Sequence, residues 1–228
     1  AMAGERVAVL RERLAPRPGV QTIIRVDRLD PSKNQVVGFR AFGRLLEQRP
    51  DLRGQVCFLA FLVPSRTDLA IYRAYREAVY AEIDAINSRF AATCGGPPIT
   101  VYYTNDREQA LAAMEVCDVL LVNSLRDGMN LVAKEWALIS RRPGTLVVSE
   151  TTGVANDTAG SALLVSPLDI EGTAAALAQA LDMDRRERAD RLARFRRHVW
   201  AWTATDWLEA QMAALRTSGI AAPGARIE

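Results

Sequence analysis

Histidine is almost missing from this chain, with His198 the single example among 228 residues. A zinc centre or a serine–histidine relay needs imidazole beside its other groups, so neither is expected here. Cysteine is also scarce: Cys57, Cys94 and Cys117 are an odd number without CxxC or Cys/His spacing, and two of them interrupt apolar runs as buried thiols do. That pattern fits a reducing, cytoplasmic setting rather than a disulfide scaffold. No apolar run approaches the roughly 18 to 20 residues that a bilayer requires, and no charged segment followed by an apolar one opens the chain as a secretory leader does. An excess of charge is lacking too, because 29 basic and 27 acidic residues leave only +2. A protein that blankets nucleic acid phosphates is therefore not expected, and any anion site must be local. What is present is ordinary for a globular protein: 49% apolar and 25% charged residues, which excludes disorder. A chain of this mass buries roughly 70% of its extended surface, enough for a core without staples. One large domain over residues 1–228 is the leading division, with two small domains as the alternative. Ala1 ahead of Met2 reads as the scar of a cleavage or the edge of a separate reading frame.

Short β-rich runs alternate with longer segments of helical period. Strands are predicted at Val20–Val26, Gln55–Val63, Ile99–Tyr103, Val119–Asn123, Thr145–Val148 and Leu163–Val165. Nearly all are unbroken apolar runs, the mark of strands buried on both faces. Helices are predicted at Asn34–Arg49, Leu69–Phe90, Glu108–Cys117 and Asn130–Arg141, then from about Glu171, Asp184 and Ala204. Ser65 and Thr67 are placed to cap the second helix, and Asp106 the third. Crossovers of this length fit right-handed βαβ units, so the class is α/β, a Rossmann-like doubly wound parallel sheet of about six strands with helices on both faces. Cys94-Gly95-Gly96-Pro97-Pro98 is a turn into the third strand, and the tail after Thr217 reads as loosely ordered.

Ligands of such sheets bind outside the carboxyl ends of the strands, which narrows the search to four loops. After the first strand comes Arg25-Val26-Asp27-Arg28-Leu29-Asp30-Pro31-Ser32-Lys33, with a helix starting at about Asn34. A cation in a first helical turn opposes the macrodipole by a few tenths to about 1 kcal/mol unless an anion lies between, so a phosphate is one reading of Arg28 and Lys33. The other is that Arg28 pairs with Asp27 or Asp30 and Lys33 points to water. After the fourth strand, Asp127 either caps the next helix or faces the strand ends, and Gly128 lets a ligand approach backbone. Glu135 in the second turn is placed to accept from a vicinal diol or to be solvated. Arg66, after the second strand, is either a second anion ligand or the surface partner of Asp68. Glu150-Thr151-Thr152-Gly153 completes the ring of loops, as a site element or as a turn alone.

Taken together, Val26-Asp27-Arg28-Leu29-Asp30 with Ser32-Lys33, Pro64-Ser65-Arg66, and the run Leu125-Arg126-Asp127-Gly128-Met129-Asn130-Leu131-Val132-Ala133-Lys134-Glu135 resemble the trehalose-6-phosphate synthases. The likeness extends from about Val20 to Leu215 and corresponds to the carboxyl-terminal, donor-binding half of that retaining GT-B family, with the amino-terminal acceptor half absent. The resemblance implies that Arg28 and Lys33 hold the pyrophosphate of UDP-glucose and are the catalytic pair. It implies that Glu135 binds the ribose, that Asp127 with Gly128, Met129, Asn130 and Leu131 binds the glucose, and that Arg66 binds the phosphate of glucose 6-phosphate. No cofactor and no metal are implied beyond the nucleotide sugar, and the partners are a sugar phosphate and the missing acceptor half, not nucleic acid or a membrane. Alone, the chain is then expected to bind donor without turnover. Pro31 and Asn34 depart from the aromatic residue and glycine of many members. The ending Trp202-Thr203-Ala204-Thr205-Asp206-Trp207 is similar to the validoxylamine phosphate synthases, which leaves that pseudo-glycosyltransferase reading open. A non-catalytic nucleotide-sugar module is a further alternative, and a phosphosugar epimerase of the same architecture a weaker one. His198, beside Arg196 and Arg197, reads as a surface residue.

Overall fold

The computed structural model describes residues 2–15, 17–158 and 160–217, with side chains from Glu5 onward. The tail predicted to be loose lies outside the described residues. Six strands form one sheet: β1 (Gln21–Arg28), β2 (Val56–Val63), β3 (Ile99–Tyr103), β4 (Val119–Val122), β5 (Thr145–Ser149) and β6 (Leu163–Val165). Their order is β3-β2-β1-β4-β5-β6, and every pairing within it is parallel. The helices are α1 (Met2–Leu14), α2 (Gln35–Gln48), α3 (Ala70–Cys94), α4 (Arg107–Val116), α5 (Leu131–Ile139), α6 (Gly153–Asp157), α7 (Ile170–Asp182), α8 (Arg185–Ala201) and α9 (Ala204–Thr217).

Alternation along the strands divides the apolar residues between two layers. Ile23, Phe58, Ala60, Leu62, Val119 and Leu121 join Phe39 and Phe42 of α2, Ile83 of α3 and Leu177 of α7 in one core. Ile24, Leu59, Phe61, Leu120 and Val122 join Met114 of α4, Trp136 of α5 and Phe195 of α8 in the other. On the first face Phe58 meets the rings of Phe39 and Phe42, each with centroids 5.3 Å apart and edge-on. Each large side chain buried this way contributes roughly 1.5–3 kcal/mol. The central strands β2, β4 and β5 are thus buried on both sides as their apolar runs predict, whereas Leu164 of the edge strand β6 is exposed and β3 at the other edge is only partly covered.

Several elements differ from expectation. β1 runs on to Arg28, because Asp27 and Arg28 stay in register with Leu62 and Val63. α3 continues to Cys94 and stops at Gly95, whose φ of 71° is the left-handed conformation that glycine adopts freely. Ser65 and Thr67 cap nothing there, since Leu69 holds the N-cap position without a side-chain bond. Asp106 does cap α4, accepting from the N–H of Gln109 at 3.1 Å. Helix α1 was not expected; Arg6 pairs with Asp106 (2.6 Å) and Glu108, and Arg11 with Glu115 (2.6 Å), which ties it to α4. Cys117 is buried, its thiol pushed up to about 12 by desolvation, whereas Cys57 and Cys94 are half-buried, and all three are free. The strand order reverses between β1 and β4, which opens a crevice at their carboxyl ends.

Candidate functional site

The crevice rests on a buried ion pair. Arg25, wholly inaccessible on β1, donates through Nε and Nη2 to Asp27 Oδ2 at 3.0 and 2.7 Å. Its Nη2 also reaches the carbonyl of Lys33 at 2.8 Å, so a charge inside the sheet fixes the loop that follows. Gly38 of α2 makes room: a Cβ there would lie 2.6 Å from Arg25 Nη1 and 2.9 Å from Asn123 Oδ1. Asp27 is therefore not the partner of Arg28.

Beyond the strand, Asp30 accepts from the N–H and hydroxyl of Ser32 at 3.0 and 2.8 Å and closes a single 3₁₀ turn, Pro31–Lys33. Burial pushes the Asp30 carboxyl up, but those bonds, the Tyr72 hydroxyl and the Arg28 charge hold it below its ordinary value. Asn34 follows with φ 58°, a left-handed position where glycine is the default and asparagine the best tolerated alternative. Its amide donates to the carbonyls of Asn123 (3.0 Å) and Pro167 (2.6 Å), while Asn123 Nδ2 donates back to the Asn34 carbonyl (3.2 Å). Leu125 N–H bonds to Ser32 O at 2.9 Å, so the loops after β1 and β4 are clamped together.

After β4, Asp127 does not cap α5. Asn130 does, with φ 64° and its Oδ1 accepting from Ala133 N–H at 3.1 Å. The Leu131 and Val132 N–H groups have no acceptor among the described residues, leaving the positive end of α5 open. Asp127 instead accepts from Lys33 Nζ at 2.5 Å and from Asn130 Nδ2 at 3.1 Å. Burial raises the Asp127 pKa; the Lys33 ammonium and the Asn130 amide outweigh it, and the carboxyl sits below its ordinary range. Gly128 has open space where a Cβ would point. The close approach belongs to Gly153, whose added Cβ would lie 2.0 Å from Gly128 O. The Gly153 N–H donates to Asp127 O at 2.9 Å, and Thr151 Oγ1 to Ser124 O at 3.2 Å, so the Glu150–Gly153 loop braces the β4 loop from below.

These loops line an open cleft of about 670 Å³. Of the predicted residues it brings together Arg28, Lys33, Asp127, Gly128, Met129, Asn130 and Leu131. The Arg28 guanidinium is exposed and has no ion-pair partner among the described residues. Lys33 does not point to water; its side chain is 15% exposed and held by Asp127. Glu135 lies outside the cavity, farther along α5, and pairs loosely with Arg107 at 3.3 Å. Arg66 is also outside, at φ 45°, and donates to the Tyr72 hydroxyl at 2.8 Å rather than pairing with Asp68. Tyr72 in turn donates to Asp30 Oδ2 at 3.1 Å, which links Arg66 to the β1 loop. Sequence reasoning missed Arg25, Val63 and Trp207, the last reaching the cavity from α9. His198 is 43% exposed and lies 3.8 Å from Asp157.

A doubly wound sheet whose switch-point crevice gathers Arg28, Lys33, Asp27, Asp127 and an open helix N-terminus defines a Rossmann-type domain. The family model "Glycosyltransferase family 20" matches residues 2–217, and the chain belongs to that family. It is 36% identical over 214 residues to alpha,alpha-trehalose-phosphate synthase [UDP-forming] 1 of Arabidopsis thaliana, spanning 93% of this chain and 22% of that protein. With trehalose-6-phosphate synthase of Cronobacter sakazakii it shares 38% identity over 84% of this chain and 40% of the relative. Among solved structures, a UDP-forming synthase from Burkholderia xenovorans in complex with glucose-6-phosphate superposes with TM-score 0.84 and 38% identity, over 94% of this chain and 48% of that one. The E. coli structure bound with UDP-2-fluoro glucose gives TM-score 0.83 and 34% identity, over 93% and 46%. The chain thus spans less than half the length of these relatives, and its six-stranded sheet is one half of their GT-B architecture. Among the described residues no helix is long and apolar enough to cross a membrane.

Proposed function

We propose that this chain is the carboxyl-terminal, donor-binding half of a retaining glucosyltransferase that moves glucose from UDP-glucose to glucose 6-phosphate, giving trehalose 6-phosphate and UDP. The observation that carries the reading is the convergence of Arg28, Lys33, Asp127 and the α5 N-terminus on one cavity, in a chain of this family. As the bond from the anomeric carbon to the β-phosphate oxygen breaks, its electron pair stays on UDP. Arg28, Lys33 and the Leu131 and Val132 N–H groups stabilise the charge that develops, in positions fixed before reaction. The acceptor hydroxyl forms the new bond on the same face and gives its proton to the departing phosphate. Asp127 accepts from glucose hydroxyls once Lys33 has turned to the phosphates. Glu135, on the same helix, takes the ribose, and Arg66, tethered through Tyr72, takes the acceptor's phosphate. The acceptor half comes from another segment or chain, so the partners are a nucleotide sugar, a sugar phosphate and that half, in a cytoplasmic setting.

The test is complementation. The chain is mixed with the separately expressed amino-terminal half of a family 20 relative, and UDP release from UDP-glucose is followed with and without glucose 6-phosphate. Release that needs both halves and the sugar phosphate is expected. A complex of the halves without release would show a non-catalytic module instead, and release only with a cyclitol phosphate would shift the acceptor to the validoxylamine class.

A further inference from the structure

A second cavity, of about 410 Å³, lies at the opposite end of the sheet, where the chain enters β4 and β5. Asp118, Arg141, Arg142, Pro143, Arg185 and Arg188 line it. At roughly 30 Å³ per water molecule it has room for about a dozen waters or a small ligand. Its walls are tied together by hydrogen bonds and close packing. Asp118 takes the Thr22 N–H on Oδ2 at 2.8 Å, and its carbonyl takes the Thr145 N–H at 2.9 Å. Gly144 lets the Arg141–Pro143 turn close on this point, because a Cβ there would lie 3.0 Å from the Trp136 ring and 3.2 Å from Asp118 O.

Charge is unbalanced within these walls. Asp118 Oδ1 is shared by Arg142 Nη2 at 3.0 Å and Arg188 Nη1 at 3.6 Å, so one carboxylate faces two guanidinium groups. Arg188, 8% exposed, is held in place by the carbonyls of Met183 (2.8 Å) and Leu181 (2.6 Å) through its other nitrogens. Arg141 shares Glu115 with Arg11, at 2.9 and 2.6 Å. Arg185 has no ion-pair partner among the described residues and sits in the first turn of α8, where a cation opposes the helix dipole. Of the neighbouring carboxylates, Asp182 pairs with Arg49 at 2.7 Å, and Asp184 caps the Arg186 and Glu187 N–H groups through Oδ1 at 2.8 and 2.9 Å; both also act on the Arg188 charge, but neither lines the cavity. Helix α8 carries seven arginines against Glu187 and Asp190, in a chain whose net charge is only +2.

We propose that this cavity is a binding site for a small phosphorylated anion of two or more charges, separate from the crevice at the carboxyl ends of the strands. Guanidinium forks match phosphate oxygens in pairs: Arg185, without an ion-pair partner among the described residues, turns toward a ligand, and Arg142, half-exposed, is shared between the ligand and Asp118, which with Arg188 forms the floor. A singly charged anion leaves most of the excess uncompensated, which favours a diphosphate or a phosphate monoester.

The test titrates inorganic pyrophosphate into the full chain carrying Arg28→Ala and Lys33→Ala, which removes the cations of the other cavity. Saturable binding to one site is expected. Adding Arg142→Ala with Arg185→Ala should weaken it at least tenfold, and Arg185→Ala alone by a smaller factor. Arg194→Ala with Arg197→Ala, outside the cavity on the same helix, should leave it within twofold. Absence of saturable binding in the starting variant overturns the proposal. So does an equal loss with both arginine pairs, which would mean diffuse attraction to a basic helix.

Discussion

Asp127→Asn should strengthen UDP binding while weakening the preference for UDP-glucose over UDP. In the structure Asp127 occupies the ammonium of Lys33 at 2.5 Å, the cation that the proposed function assigns to the phosphates. UDP must therefore displace a carboxylate before it gains Lys33. Two unit charges about 4 Å apart interact by about 4 kcal/mol at an effective dielectric constant near 20, an upper bound. Fully exposed pairs measure about 0.2–1 kcal/mol. With the two side chains 15% and 17% exposed, the pair falls between these limits, at about 1–2 kcal/mol. Removing the competing charge should then tighten UDP binding by roughly 5–30-fold at low salt. The sugar loses a charged acceptor in the same variant. A hydrogen bond to a charged group contributes about 1.5–3 kcal/mol, so the affinity ratio of UDP-glucose to UDP should fall by about tenfold or more. Isothermal titration of both ligands into both proteins reads the two numbers. Unchanged or weaker UDP binding by a folded Asp127→Asn chain would refute the displacement.

Other perturbations act on the frame of the site. Gly153→Ala drives a Cβ to 2.0 Å from Gly128 O, so the Asp127–Met129 loop must move; a loss of about 1–3 kcal/mol in chemical denaturation and weaker UDP binding are expected. Arg25→Met leaves Asp27 buried without its cation and should cost about 3–5 kcal/mol by the same measurement, whereas a loss under about 1 kcal/mol would show that the pair is relieved by water. Asp127 also predicts a pH dependence. Its pKa in the folded chain lies below the ordinary 3.8, so its stabilising effect is complete above that value and is lost as pH falls through the lower folded one. The stability gap between the unaltered chain and Asp127→Asn should therefore be constant at neutral pH and narrow only in strong acid.

The sheet was legible because most of its strands are apolar runs with few interruptions, and Ile23 with Ile24 shows why: adjacent residues enter opposite cores. Helix α1 was not legible, since its anchors Glu108 and Glu115 lie 102 and 104 residues from Arg6 and Arg11. Helix α6 spans only five residues, too few for a period to show. In the site, Asp127 and Asn130 are equally good capping residues by type, and only the left-handed backbone at Asn130 decides between them. The Arg25–Asp27 pair did leave a signal. Residues two apart on a strand share a face, and opposite charges on one face of an apolar run call for each other. Trp207 left none, because nothing in its own segment relates α9 to the β1 loop.

The central claim is that Arg28 and Lys33 form a diphosphate cradle at the carboxyl ends of β1 and β4. Calorimetric titration of UDP into the unaltered chain and into Arg28→Ala/Lys33→Ala tests it most directly. Saturable binding in the micromolar to millimolar range by the first, with the heat lost in a second protein that melts normally, is the predicted result. Equal affinity in the two proteins would contradict it.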